Sequence, residues 1–516
     1  MERLRNSLTL FLHAHKKEIY FYLILNAAVF FLITLASYIH TPVSGVTDRT
    51  LYLGHVILLQ FSISGYIYFF TLNKWVFKCL FLPLFFILCL FSFWVYTQDI
   101  SVTNVLITSV LETKPSIAID LFSVEYVCYM LFIGLVLFLL NRLYNKISPK
   151  KVIPSFVLLS LISIYSYSFI ENRRGGTFRS RLPYNVYFGL KDYFNTENFV
   201  LTDLSNQQIV SAVDNLKIVL VLGETVRADH LGLNGYDRET TPMLSQLSNV
   251  VSFKSIYTPH TYTASSLPRI ITDAGIHTEQ LDELTSVYDV FNGSRFSTTW
   301  IGNQELERSY ESIVRTNQKV ILVDSLRSVY SFNKALDEEL LNVFKKENMN
   351  SNLELFSLHM MGSHWWYENR YSEKFRKFKP VIDSKYIPSL DAKHIINSYD
   401  NTLVYLDFFL NDLIGFMKTI NEPTIVIYIA DHGEGLGENG KWLHAQNLEA
   451  CKNPAMLIWY SNKFNKLYPN KVNALLNNSS KPFSTDIIYH SLLDLIEVQN
   501  IDYNKRLSVF KEQIIN

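Results

Sequence analysis

Residues 217–224 read KIVLVLGE, and this stretch decides the fold. Ile218 to Leu222 are all aliphatic, with no polar residue at alternate positions. An amphipathic helix or a half-exposed strand would interleave polar residues. A short unbroken run bounded by Gly223 and Glu224 instead suits a strand covered on both faces. Four related runs follow: STTWIGNQ (297–304), LELFSLHMMGSH (353–364), TIVIYIADHGEG (424–435) and AMLIWY (455–460). Helical patterns separate them. The longest is predicted at about 392–420, where Tyr399, Leu403, Leu406, Phe409 and Leu413 form an apolar stripe. Strands alternating with helices predict a soluble α/β domain over 215–516, with a mostly parallel central sheet covered by helices on both faces.

Polar residues stand where these runs end. Glu224 closes the first, His364 the third, and Asp431 with His432 the fourth. In open α/β sheets the ligand site lies beyond the carboxyl ends of the strands, so these residues can converge there. Singly, each suits a helix cap or a structural histidine. Together, Glu, Asp and His side chains at one sheet edge are the ligand types that hold zinc. The segment HTYTASSLPR (260–269) follows the first strand and offers hydroxyls at Thr261, Thr263, Ser265 and Ser266. A hydroxyl is a weak nucleophile until a base or a metal acts on it, and the strand-end set supplies that activator. The residues themselves do not choose among the four hydroxyls.

Outward toward the N-terminus the composition changes. The chain has 516 residues, 48% hydrophobic, with a formal net charge of zero, which gives no sign of a nucleic-acid partner. Almost every long apolar run lies before residue 172. Five segments are long enough to span a bilayer: about 19–39, 51–72, 76–97, 125–145 and 152–171. Arg3, Arg5, Lys16 and Lys17 precede the first, Lys74 and Lys78 flank the second loop, and Arg142, Lys146, Lys150 and Lys151 fill the fourth. The positive-inside rule puts the N-terminus in the cytoplasm and everything after residue 172 outside it. The domains expected are therefore a membrane unit over 1–171, a bridge over 172–214 and the exported α/β domain. Residues 98–124 read either as short amphipathic helices on the outer membrane surface or as a plain connector. Cys451 is the only cysteine of the soluble part, which therefore holds no internal disulfide.

The segment GETVRADHLGLNGYDRETTP (223–242) carries a specific resemblance. It matches the first metal-binding motif of the bacterial membrane phosphoethanolamine transferases, a group within the alkaline phosphatase/sulfatase superfamily. That group includes the lipid A enzymes and the mobile colistin-resistance enzymes associated with polymyxin resistance. The match continues through TASSLP (263–268), LHMMGSH (358–364), SYDNTLVYLD (398–407) and DHGEGLGENGKWLH (431–444). Five spans followed by an exported domain is also that family's layout. The soluble half resembles a sulfatase-like domain.

The resemblance implies that Glu224, Asp431 and His432 hold a catalytic zinc, and that Thr263 is the nucleophile and touches the same metal. His364 and His444 match histidines that bind the phosphate group or a second zinc. The implied reaction moves phosphoethanolamine from phosphatidylethanolamine onto Thr263 and then onto an acceptor, at the outer face of the inner membrane. The acceptor classes are lipid A, a lipopolysaccharide core sugar or another periplasmic glycan. The membrane lipids are the other partner, and tethering to them makes the donor encounter a local one.

Departures from the family pattern concern the acceptor. The lipid A enzymes carry disulfides here, and a Ser and a Lys after the WIGNQ-type strand, where this chain has Glu305 and Arg308. For the surface-helix substrate residues, one register matches Asn104, Thr108 and Glu112. A second, slightly preferred, matches Thr113 and puts Ile117 where a Glu is expected. The alternative reading is a phosphoglycerol transferase of the lipoteichoic-acid-synthase type. A plain sulfatase is disfavoured, because C-x-P-x-R is missing.

Overall fold

The computed structural model describes residues 15–512, apart from 42, 44, 99–101, 103–106, 108–123, 148–156, 159, 163, 167, 170–177, 195–198, 280, 325–333, 348, 384–389 and 445–446. Two compact units emerge. One covers Met1–Asn195, and the other Thr196–Ser325 with Asn333–Asn516.

In the first unit, four helices are long and apolar enough to cross a membrane among the described residues: α1 (Lys16–Ser37), α2 (Gly45–Thr71), α3 (Val76–Thr97) and α4 (Glu125–Tyr144). The fifth expected span, 152–171, lies partly outside the described residues; positions 157–158, 160–162, 164–166 and 168–169 are helical. The surface-helix residues Asn104, Thr108, Glu112 and Thr113 lie outside the described residues altogether. Helices α1 and α2 are tied by polar side chains. Thr34 donates to Gln60 Oε1 at 2.8 Å, and Gln60 donates to Asn26 Oδ1 at 3.3 Å. Such pairs matter where lipid offers no competing partner. The stretch expected as a bridge divides. Its helix α5 (Tyr184–Phe194) packs Val186 and Leu190 into the membrane unit's core. Val200–Leu201 and Val210–Ser211 pair with strands of the second unit.

The second unit is built on a seven-stranded sheet. Its strands are β1 (Leu216–Gly223), β2 (Val250–Phe253), β3 (Ser297–Gly302), β4 (Lys319–Leu322), β5 (Leu353–His359), β6 (Thr424–Ala430) and β7 (Met456–Tyr460). Their order is β2-β7-β6-β1-β5-β3-β4. β6, β1, β5, β3 and β4 run parallel, while β7 is antiparallel to both its neighbours. The edge strands β2 and β4 have no counterpart among the five runs read from the sequence.

Every residue of β1 is buried, and successive residues feed opposite layers. Ile218, Leu220 and Leu222 join a core that includes α6 (Thr263–Ile271) through Leu267, Ile270 and Ile271. Val219 and Val221 join a second core with α7 (Glu338–Phe344) and α8 (Ala392–Met417). That double burial is why KIVLVL shows no polar alternation. The stripe Tyr399, Leu403, Leu406, Phe409 and Leu413 is fully or nearly fully buried on α8, which is capped by Asp391 accepting from Lys393 N at 2.7 Å.

Candidate metal and nucleophile site

Sheet register assembles the site. Gly223 of β1 pairs with Ala430 of β6, and Leu222 with His359 of β5. The residues that follow, Glu224 and Asp431, therefore leave the sheet side by side at its carboxyl edge. Asp431 N donates to Gly223 O at 3.1 Å. On the other side Gly362, φ +51°, lies so close to the backbone of Glu224 that a Cβ would sit 2.6 Å from its carbonyl oxygen. Only glycine fits that approach. The loop after Glu224 is pinned to α8 by Asp400, which accepts from Arg238 and Tyr236 at 2.8 and 3.0 Å and contacts His230 at 2.8 Å.

Glu224, Asp431 and His432 are buried, and one ligand atom from each lies within 4.8 Å of the others. His432 Nε2 is 3.4 Å from Glu224 Oε1 and 3.4 Å from Asp431 Oδ2. Its Nδ1 faces the Gly433 carbonyl at 2.8 Å, so that nitrogen carries the hydrogen and Nε2 is the inward-facing donor atom. Asp431 Oδ2 and His432 Nε2 have no hydrogen-bond partner. Buried polar atoms are normally satisfied, so converging orphans of this kind fit a divalent cation.

The electrostatics make the same demand. Burial, reinforced by the charge of Glu224, pushes Asp431 up to about 7. Burial would lower His432, but the Asp431 and Glu224 carboxylates lift it to about 10. Burial would also raise Glu224, yet the His432, His364 and His444 imidazoles hold it well below the usual carboxylate range. Two enclosed carboxylates call for positive charge between them, which the His432 imidazolium supplies in part.

Thr263 opens α6 and donates its hydroxyl to Glu224 Oε2 at 2.7 Å. The neighbouring hydroxyls go elsewhere. Ser265 meets His260 Nδ1 at 2.7 Å, and Ser266 donates to the Asp431 carbonyl at 2.6 Å. Of these three, only Thr263 reaches the acidic centre.

His364 is half-buried, with Nδ1 facing the Trp365 carbonyl at 2.7 Å. Enclosure lowers it to about 3, against the pull of Glu224. His444 lies beside the other two histidines, its ring 5.3 Å from His364 and 4.9 Å from His432 and tilted to both. Its Nδ1 lies 3.6 Å from Glu434 Oε2, a buried carboxylate that also accepts from Tyr367 at 3.0 Å. Thus Glu224, Thr263, His364, Asp431, His432 and His444 form one cluster. Glu305 follows β3 near this edge, its carbonyl accepting from Tyr310 at 3.0 Å. Arg308 begins the helix Arg308–Val314, and its side chain lies outside the described residues.

Three participants were not singled out from the sequence. Gln304 donates to Glu224 Oε2 at 3.2 Å and to the Met360 carbonyl at 2.7 Å. Thr225 donates its hydroxyl to Glu224 Oε1 at 2.5 Å and its N–H to Asp431 Oδ1 at 3.1 Å. Glu307 is raised to about 7, first by burial and then by Glu305, Glu224 and Asp431. Gln304 ends a recognised strand run at the same edge as the acids, and that position was the available signal.

Comparison with known proteins places these features in a family. The chain is 31% identical over 301 residues to the phosphoethanolamine transferase EptA of Escherichia coli (strain K12), covering 55% of this chain and 54% of that protein. It thus spans about half the length of the curated relatives it matches. Among solved structures, the integral membrane lipooligosaccharide phosphoethanolamine transferase A from Neisseria meningitidis shares its fold over 95% of this chain and 97% of that one, with TM-score 0.54 and 24% identity. The C-terminal periplasmic domain of EcEptC from Escherichia coli, solved in complex with Zn, matches with TM-score 0.52 and 22% identity, over 62% of this chain and 92% of that one. The sulfatase family model matches residues 217–498, over half the chain and the whole site-bearing sheet, and the protein belongs to that family.

Proposed function

We propose that this protein is a zinc-dependent phosphoethanolamine transferase of the bacterial inner membrane, with its N-terminus in the cytoplasm and its sulfatase-like unit in the periplasm. The donor is phosphatidylethanolamine, and the acceptor is lipid A, a core sugar or another periplasmic glycan. The observation that carries this reading is the Thr263 hydroxyl, 2.7 Å from a carboxylate of the Glu224, Asp431 and His432 set. The matched relative's activity supports the choice of transferred group.

Glu224, Asp431 and His432 would hold the metal, which when bound supplies positive charge that acidifies a nearby hydroxyl and polarises a phosphoryl oxygen. Glu224 Oε2 orients the Thr263 hydroxyl. In the first step Thr263 Oγ bonds to phosphorus, the bond to the diacylglycerol oxygen breaks, and the hydroxyl proton leaves with diacylglycerol. In the second, an acceptor oxygen bonds to phosphorus while the bond to Thr263 Oγ breaks, and Thr263 regains a proton. His364 and His444 stand beside this centre, suited to contact phosphoryl oxygens and pass protons.

The test is incubation of the full chain with labelled phosphatidylethanolamine or phosphatidylglycerol. Phosphoethanolamine on Thr263 is expected by mass spectrometry. Glycerophosphate there would favour the phosphoglycerol alternative. Thr263→Ala should cut transfer by about 10⁴-fold or more without unfolding the protein, and near-normal transfer would remove Thr263 as nucleophile.

A further inference from the structure

Thr225 has an unusual place in this site. It is fully buried, follows the first proposed ligand and bonds to two of them. Its φ is +61°, and it is the one β-branched residue in the left-handed region among the described residues. That conformation is unfavourable for a β-branched side chain and persists only where the surroundings impose it. Here the imposition is visible. The Thr225 carbonyl accepts the Tyr399 hydroxyl at 2.9 Å, and the same hydroxyl accepts from Arg227 N at 2.9 Å. Tyr399 is itself fully buried on α8. The turn held in this way lets one residue present its N–H to Asp431 and its hydroxyl to Glu224.

Glycine or asparagine would relieve the backbone at this position, but neither offers a hydroxyl. Glu224 accepts three donors: Thr225 on Oε1, and Thr263 and Gln304 on Oε2. Losing the Oε1 bond would free the carboxylate to rotate about the remaining two. Groups that hydrogen-bond to metal ligands in this way set ligand orientation and metal affinity.

We propose that Thr225 is a positioning residue for the metal centre, whose left-handed backbone and hydroxyl together lock the Glu224 and Asp431 carboxylates in the geometry that binds the cation. This rests on the metal-dependent reading above, and the experiment separates the two. Full-length protein in detergent micelles is stripped with chelator. Zinc affinity is then measured by competition with a chromophoric chelator, and the visible spectrum is recorded after loading with cobalt(II). Thr225→Val, which keeps the shape and loses the hydroxyl, should bind zinc about 10- to 100-fold more weakly and shift the cobalt spectrum. Thr225→Ser should restore both the affinity and the spectrum of the parent. Should Thr225→Val fail to fold, Thr225→Gly carries the same loss of hydroxyl without the backbone strain, and the same weakening is expected. Parent-like zinc affinity and cobalt spectrum in the hydroxyl-less variant would overturn the role of Thr225 alone, as would a Ser variant no better than Val. A parent protein that takes up no zinc would overturn the metal reading and this inference with it.

Discussion

Strand β1 carries a buried charged group near each end, and the two are built on opposite terms. At its start Lys217 faces Glu354 of β5 in register, with Nζ 3.2 Å from Oε2 and both side chains 3% exposed. Lys217 also donates to the carbonyls of Met349, at 2.9 Å, and Ser351. The charges there cancel within the protein. At its end two carboxylates share one imidazole, and an oxygen and a nitrogen are left without hydrogen-bond partners. The first arrangement is closed in charge, an ion pair of Lys217 with Glu354, and structural. The second turns two carboxylates and an imidazole inward with atoms left unpaired, which is the mark of a site that binds something.

The sharpest way to break this contrast is to neutralise one carboxylate at the open end. Glu224→Gln should abolish zinc uptake and lower transfer by at least about 10³-fold, the scale set by several kcal/mol of lost charge stabilisation. Because the fold holds the Glu224 carboxyl well below its usual range, its charge stabilises the folded state, so the chelator-treated variant should melt below the parent; calorimetry and metal analysis check the two halves separately. At the closed end the pattern should invert. Lys217→Met should destabilise the fold by about 3–5 kcal/mol, read from denaturant unfolding, while zinc content per folded molecule stays unchanged. Adding Glu354→Leu should recover most of that loss.

A finer test concerns Gln304, whose amide donates to the same Glu224 oxygen as Thr263. Gln304→Ala should weaken zinc binding about 10- to 100-fold, visible in chelator competition. The smallest effect is expected away from both groups. Asp407 on α8 accepts from Met243 N and Leu244 N at 2.8 and 2.9 Å and holds the loop of the first motif. Asp407→Asn retains one acceptor and should cost about 1 kcal/mol at neutral pH. Burial raises the Asp407 carboxyl to about 6. A folded value above the unfolded one penalises stability above pH 6, and the penalty is relieved as pH falls through that value. Melting temperature should therefore depend less on pH between 5 and 7 in Asp407→Asn than in the parent.

The closed and open ends also differ in how much of them could be read in advance. The apolar run of β1 announced a strand buried on both faces, and its terminal Glu224 announced the edge where ligands gather. Motif matches singled out the residues that the structure brings together there. Thr225 and Gln304 stayed hidden because their importance lies in hydrogen bonds, one of which joins residues 80 positions apart. Such a bond depends on strand register, which no local pattern encodes. β2 and β4 were missed for a related reason: both are four-residue strands at the sheet's edges, too short to show a clear period. Helix α5 follows Pro183 within a polar stretch, and its packing against the membrane unit's core could not be inferred from its own modest apolar content.

The pairing of β1 with β6 has one more consequence. Thr225 and Asp431, joined by a hydrogen bond, are 206 positions apart in the chain. During synthesis the first carboxylate emerges long before the second, and no fragment ending before β6 contains all three proposed ligands. A slip of one residue between the two strands would turn the side chains of one of them to the opposite faces and separate the ligands. If the proposed triad holds a cation, tight uptake requires the centre of the sheet to have closed in its correct register, so the moment of metal binding would time the completion of the domain.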